Sequence, residues 1–273
     1  KNLNETIVKL EELKDNKYLI SVLDTTAKNE ARGRSIIIAG NHSEDGNLKY
    51  SKREKNPIFF SQGGGLMNVT RIGNLLIGII SILLFNKCSM YFLRFILNKY
   101  TIKLLNKIYY QFHKHNKKFK QNIDDFFYPL DDSKIFDLYG RNGFVQIQVL
   151  IEENNPEILL DKILNFFQEK EQYSFLAATK KFSSSNNNYL SFAGQGYTFI
   201  IDLKMNKKLN NDYKEFEDLL KNYKTRIYLT KDSLMSEQYF KKAYNNYNKF
   251  KEIKNKYDPL NLVNSFQSRR INI

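Results

Sequence analysis

The stretch "GFVQIQVLI", residues 143–151, alternates apolar and polar side chains with a period of two. This alternation is typical of a β-strand with one face in a hydrophobic core. The next segment, "PEILLDKILNFFQEK" at residues 156–170, opens with a proline and then repeats apolar residues at helical spacing. Proline is favoured in the first turn of a helix, so this segment predicts an amphipathic helix directly after the strand.

The rest of the C-terminal half continues this alternation of strands and helices. Strands are predicted at "SFLAATKKF" (174–182), "GYTFIIDLKM" (196–205) and "RIYLT" (226–230), and a helix at "NDYKEFEDLLKNY" (211–223). The order β-α-β-β-α-β is that of the split βαβ, or ferredoxin-like, arrangement. A last helix is predicted from about residue 236 to 257, and it ends before Pro259.

The first forty residues add a helix, "ETIVKLEEL", and two strands, "KYLISVLD" and "RSIIIAG", which extend the same sheet. The predicted fold class is therefore α+β, a mostly antiparallel sheet with helices on one face. Three parts follow: residues 1–55 and 122–273 form the α+β domain, and residues 56–121 form an insertion. The fold alone decides no function.

The inserted segment is first apolar and then strongly basic. Its apolar part, residues 75–97, is interrupted by Asn86 and Lys87, and its longest run is shorter than the ~20 residues that a spanning helix needs. Two interpretations stay open. The segment forms a buried helical hairpin, or it lies on a membrane surface with the lysines of "KHNKKFK" against anionic head groups.

Composition narrows the choice of partners and cofactors. The formal net charge of the 273 residues is +14, which favours an anionic partner or reflects a background rich in Lys, Asn and Ile. Cys88 is the only cysteine, which excludes an internal disulfide framework and a cysteine zinc cluster. His113 and His115 lie in a basic run without further ligands, so we expect no metal site and a solvated surface there.

An RNA-recognition module is the alternative of a different class, because it shares the β-α-β-β-α-β order. Its aromatic signature would fall on "QGYTFIID", with Tyr197 and Phe199 as the stacking residues. Thr198 stands where a small residue is expected and Asp202 where an aromatic residue is expected, and an acid there would repel phosphate. Nucleic acid is therefore not the expected partner.

Several stretches distributed along the chain resemble those of a known enzyme family. They are "VLDTTAKNEARGRSIIIAGNH", "NKYTIKLLNKIYY", "FFYPLDD", "LYGRNGFVQIQVLI", "YSFLAATKKF", "LSFAGQGYTFIIDL", "RIYLTKDSLM" and "KYDPLNLVNSFQSRRINI". In this order they resemble the FAD-linked sugar oxidases of the vanillyl-alcohol-oxidase superfamily, most closely the decaprenylphosphoryl-β-D-ribose 2-oxidase family. The resemblance implies oxidation of a secondary sugar hydroxyl, on a polyprenyl-phosphate-linked pentose, by hydride transfer to flavin.

The resemblance also implies roles for six residues. Lys231, of the "KD" pair, would stand beside flavin and substrate as the catalytic cation, although a lysine at a strand end also serves as a solvated edge. Tyr228 would contact the flavin. The other four, Gln146, Gln148, Lys180 and Thr198, would line the substrate pocket. Lys181 is expected on the other face, in solvent, and the pair Arg269 and Arg270 in interdomain salt bridges or near the cofactor.

In that family the flavin is held mainly by an N-terminal domain, of which these residues show no counterpart. The chain is then a fragment, one subunit of a split enzyme or an inactive remnant, and is expected not to hold flavin alone. Its partners would be a flavin-binding domain or subunit and the lipid-linked sugar. Its place would be the cytoplasm or the surface of the cytoplasmic membrane.

Overall fold

The computed structural model describes residues 1–43, 98–115, 118, 120, 123–127, 139, 141–174 and 176–273. The chain forms two compact units, one made of residues 1–39 with 145–273 and the other of residues 40–144. The predicted boundaries at residues 55 and 121 stay predictions. The apolar stretch 75–97, including Cys88, lies outside the described residues.

The helices are α1 (Leu3–Glu12), α2 (Lys99–His113), α3 (Ile123–Phe127), α4 (Pro156–Glu169), α5 (Lys207–Leu220), α6 (Glu237–Ala243), α7 (Tyr247–Tyr257) and α8 (Phe266–Ile271). The strands are β1 (Tyr18–Leu23), β2 (Ser35–Gly40), β3 (Phe144–Ile151), β4 (Ala177–Phe182), β5 (Gly196–Lys204) and β6 (Thr225–Ile227), and single 3₁₀ turns span Asn29–Ala31 and Leu229–Lys231. The strands form one antiparallel sheet in the order β2-β1-β4-β5-β3-β6. This confirms the predicted α+β class, the β-α-β-β-α-β order and the extension by the N-terminal strands.

The core lies between one face of the sheet and the helices α4 and α5. Pro156 occupies the first turn of α4, and the apolar residues that follow at helical spacing are buried against the strands. The Phe167 ring lies 6.3 Å from the ring of Phe199 on β5 and 5.0 Å from that of Phe216 on α5. Burial of such side chains contributes ~1.5–3 kcal/mol each, so these contacts stabilise the packing of α4 and α5 against the sheet.

Gly196 begins β5 at a point where no side chain fits. A Cβ at this position would lie 2.1 Å from the carbonyl oxygen of Ile151 on β3, and its φ is +156°. The close approach of the two backbones explains why the chain has glycine before the buried run of β5.

Two predicted elements are shorter than the sequence pattern indicates. The strand predicted at 226–230 ends at Ile227, and Lys231 closes a 3₁₀ turn instead of a strand. The predicted last helix is interrupted between Ala243 and Tyr247. At the break, Tyr244 has non-helical backbone angles (φ −115°, ψ 78°), and its buried hydroxyl donates a 2.7 Å hydrogen bond to the carbonyl of Ile227.

The second unit is described chiefly through α2. Asn98 caps this helix by accepting hydrogen bonds from the backbone amides of Tyr100 and Thr101. The His113 ring packs against Tyr109, with centroids 4.4 Å apart, so this histidine is half-buried instead of solvated. Among the described residues, no helix has both the length and the apolar character needed to cross a membrane.

Candidate functional site

The sheet has a second face, directed away from α4 and α5, that carries polar side chains. Successive residues of a strand point to opposite faces, and the core cluster takes Val145 and Ile147 of β3 and Phe199 and Ile201 of β5. The residues between them therefore share the other face, and pairing of β4 with β5 sets Lys180 opposite Thr198. We call this surface the polar face, formed by Gln146, Gln148, Lys180, Thr198 and Asp202.

Lys231 places its charge over the polar face. Its side chain is half-buried, and burial together with the positive charge of Lys180 lowers the pKa of its ammonium, while the negative charge of Asp202 acts in the opposite direction. No carboxylate in the described part of the chain comes within ion-pair distance of this ammonium. Lys231 is thus a partly desolvated cation on the same side of the sheet as the two glutamines.

The turn that carries Lys231 is held by its neighbour Asp232. The Asp232 carboxylate is fully buried and accepts hydrogen bonds from the amides of Leu234 and Met235, at 3.0 and 2.7 Å. It also pairs with the guanidinium of Arg270 on α8 at 2.7 Å. These bonds restrict the backbone next to Lys231, which suits a cation that has to keep one position.

Helix α8 adds a second restraint on this turn. The Gln267 amide donates to the carbonyl of Leu229 at 2.6 Å and to the carboxylate of Asp232 at 3.0 Å. Arg270 pairs with Asp232 inside its own unit, and the expected place of the terminal arginines in interdomain salt bridges or near the cofactor stays a prediction. Arg269 contacts Asn264 and lies over the Phe266 ring.

Tyr228 and Gln148 meet through the backbone. The Tyr228 amide donates to the Gln148 carbonyl at 2.9 Å, and the Tyr228 ring packs on Phe192 with centroids 4.6 Å apart. Gln148 is buried, whereas Tyr228 is half-buried. The role of Tyr228 as a flavin contact stays a prediction.

Asp202 was missed as a site residue by the sequence reasoning. It is buried, and its carboxylate accepts a 2.6 Å hydrogen bond from the Gln146 amide. Burial raises the pKa of Asp202 to about 6, although the bond from Gln146 and the charge of Lys231 act in the opposite direction. The available signal was an acid at an alternate position of the otherwise apolar run "TFIIDL".

Thr198 and Lys180 differ in their access to solvent. Thr198 is completely buried, and its hydroxyl has no hydrogen-bond partner within the described ranges. Lys180 is half-buried and opposite it. Lys181 points to the other face as expected, but it forms an ion pair with Glu11 of α1 and is not simply solvated.

The aromatic pair required by the RNA alternative lies on the wrong face. Phe199 is fully buried against α4, and the Tyr197 hydroxyl donates to Glu11 of α1. Neither ring is available to stack on a base. This removes the structural basis of that alternative.

Two further features bear on ligand binding. In the described ranges, no group of histidine, cysteine or acidic side chains is arranged to hold a metal ion. A cleft of about 420 Å³ lies beside β6 and α6, lined among others by Tyr223, Lys224 and Asn246. None of the six predicted site residues lines it, so this cleft is separate from the polar face.

A family comparison bears on this geometry. Residues 149–270 match the family model of D-arabinono-1,4-lactone oxidase. The match covers less than half of the 273 residues and includes Lys180, Thr198, Tyr228 and Lys231, while both glutamines of β3 precede it. It supports the predicted relation to the C-terminal part of FAD-linked sugar and lactone oxidases. It does not show a specific relation to the decaprenylphosphoryl-ribose oxidases.

Proposed function

We propose that this chain supplies the substrate-binding part of an FAD-dependent oxidoreductase that oxidises a secondary hydroxyl of a sugar or sugar lactone. The observation that carries the proposal is Lys231, a half-buried cation without a carboxylate partner in the described structure, held on a turn that Asp232 and α8 restrain. The match to a lactone oxidase family over this same region supports it.

The residues present fit one wall of a flavin site. A bound flavin supplies the hydride acceptor for the carbinol carbon of the substrate. Lys231 would provide a fixed positive charge where negative charge develops, and the half-buried Tyr228, three residues before it, would offer an aromatic ring to the flavin. The remainder of the flavin would be bound by a separate domain or subunit, which we propose as the partner.

The C-terminal segment has a surface that suits such a partner. Leu260, Leu262, Val263 and Phe266 each expose three quarters or more of their surface within seven residues. Exposed apolar patches of this kind mark contact sites in soluble proteins. We assign this segment to the contact with the flavin-binding partner.

The polar face would orient the sugar. Gln146 and Gln148 share one face of β3, and Lys180 extends from β4 toward the same side. These groups provide hydrogen bonds to ring hydroxyls. A pentose carried on polyprenyl phosphate and oxidised at its 2-position is the finer form of the proposal, with the enzyme in the cytoplasm or at the cytoplasmic membrane surface. The net charge of +14 favours contact with anionic lipid.

A complementation assay tests the function. The full chain is combined with the flavin-binding domain of a D-arabinono-1,4-lactone oxidase, and flavin absorbance is followed without oxygen after a sugar lactone or a pentose is added. We expect bleaching only when both parts are present, and Lys231→Met should slow it ~10²–10³-fold. Lys242→Met, at an exposed position of α6, is the matched control.

The same assay can refute the proposal. If the two parts form a stable complex and no sugar, lactone or polyol bleaches the flavin, the assigned function is wrong. If bleaching occurs and Lys231→Met leaves its rate unchanged, the role of this lysine is wrong.

A further inference from the structure

Asp202 and Gln146 are joined by a bond whose direction is determined by chemistry. An ionised carboxylate only accepts hydrogen bonds, so the 2.6 Å contact between the Gln146 Nε2 and the Asp202 Oδ1 is a donation from the amide nitrogen. The amide oxygen of Gln146 is then turned away from Asp202. It can accept a hydrogen bond from a hydroxyl group but offers nothing to an anion.

Asp202 also determines the charge of the polar face. Lys231, from the 3₁₀ turn, is the charged group that acts on Asp202, and Lys231 in turn is influenced by Asp202 and by Lys180 of β4. With the carboxylate ionised, two positive charges face one buried negative charge. Without it, two cations would stand together and attract an anion such as phosphate.

We propose that Asp202 is a specificity-determining residue, which adapts this face to the uncharged hydroxyls of a sugar or sugar lactone and disfavours a phosphate group. It does so as a hydrogen-bond acceptor for Gln146 and as a nearby negative charge that partly offsets the charge of Lys231 without forming an ion pair with it. This inference rests on the proposed function and specifies its substrate class. A phosphate on the substrate would have to lie away from the polar face.

The effect of the Asp202 charge on anion binding is tested with sulfate, which stays a dianion at the pH values around 6 that the test needs. Sulfate affinity of the full chain is measured by NMR titration for the wild type, for Asp202→Asn and for Asp218→Asn, whose carboxylate is exposed in a surface pair with Lys221. At a pH well above 6 we expect Asp202→Asn to bind sulfate ~10-fold more tightly than the wild type. Asp218→Asn should bind it as the wild type does.

A second variant locates the bound sulfate. Adding Lys231→Met to Asp202→Asn should abolish the gain. Equal affinity in the wild type and Asp202→Asn overturns the proposal, and so does a gain that survives without Lys231. These titrations need no flavin. A negative sulfate result therefore overturns the role of Asp202 even if the complementation assay succeeds, and a failed complementation assay overturns the proposed function even if the sulfate result is as expected.

Two measurements complete the test. In the wild type, sulfate affinity should rise as the pH falls through about 6, because Asp202 becomes neutral. Absence of this step overturns the proposal even if Asp202→Asn fails to fold. D-arabinono-1,4-lactone should bind the wild type more tightly than Asp202→Asn, and equal affinities would overturn the assigned role of the hydrogen bond to Gln146.

Discussion

Replacing Asp202 by asparagine should change how the stability of the protein depends on pH. Burial raises the pKa of this carboxyl from its ordinary 3.8 to about 6, so the folded protein binds the proton more tightly than the unfolded chain does. The contribution of this group to stability is complete below 3.8 and is lost as the pH rises through about 6. A pKa change of that size corresponds to ~3 kcal/mol.

Asparagine keeps the shape of the side chain and cannot ionise. The free energy of unfolding of Asp202→Asn minus that of the wild type should therefore increase by ~3 kcal/mol from acid to neutral pH. This difference is measured at each pH by urea unfolding. Circular dichroism reports the unfolding, because the chain has 18 tyrosines but no tryptophan whose fluorescence could be followed. Asp218→Asn is the control, because its carboxylate is exposed. If the difference in free energy of unfolding between Asp202→Asn and the wild type does not change with pH, the claim that Asp202 is buried with a raised pKa is wrong.

Three other substitutions test the supports of the site. Arg270→Gln should lower the free energy of unfolding by ~3 kcal/mol in a urea titration, because it leaves the fully buried carboxylate of Asp232 without its cation. Gly196→Ala should prevent formation of the native sheet, as seen in amide exchange, because its methyl group would meet the Ile151 carbonyl oxygen. Thr198→Val should raise the free energy of unfolding by ~1 kcal/mol in a urea titration, because it removes a buried hydroxyl that has no partner within the described residues.

Each of these substitutions has a control with the opposite environment. Lys241→Met breaks a surface pair and should cost less than ~1 kcal/mol, so an equal loss would contradict the argument for Arg270. Gly143→Ala meets no atom within 4 Å and should fold, although its φ of +67° strains an alanine. Thr225→Val removes a hydroxyl bonded to Tyr239 at 2.8 Å and should destabilise. If Thr198→Val destabilises as much, its hydroxyl has a partner.

Local patterns were sufficient to predict much of the fold. The alternation of β3, the proline-led amphipathic helix α4 and the spacing of the later elements depend on neighbours within one strand or helix turn. For this reason the β-α-β-β-α-β order and the shared face of Gln146 and Gln148 could be predicted. The same alternation placed Lys180 and Lys181 on opposite faces.

The errors occurred where a distant contact overrides the local pattern. The buried hydroxyl of Tyr244 bonds to Ile227, and the helix predicted through 236–257 is interrupted there. The strand predicted to Thr230 ends early, where Gln267 binds the Leu229 carbonyl. Neither bond can be deduced from residues that are adjacent in the chain.

The sequence by itself determined which chemical groups this protein has and on which faces of its strands they lie, because side-chain direction in a strand follows from its period of two. Only the tertiary structure decided which of them meet. The bond from Gln146 to Asp202 joins residues 56 positions apart, and the pair of Asp232 with Arg270 joins residues 38 apart. Such contacts depend on strand order and helix docking. The same tertiary packing buries Asp202 and Lys231, and burial is the main cause of the change in the pKa of each.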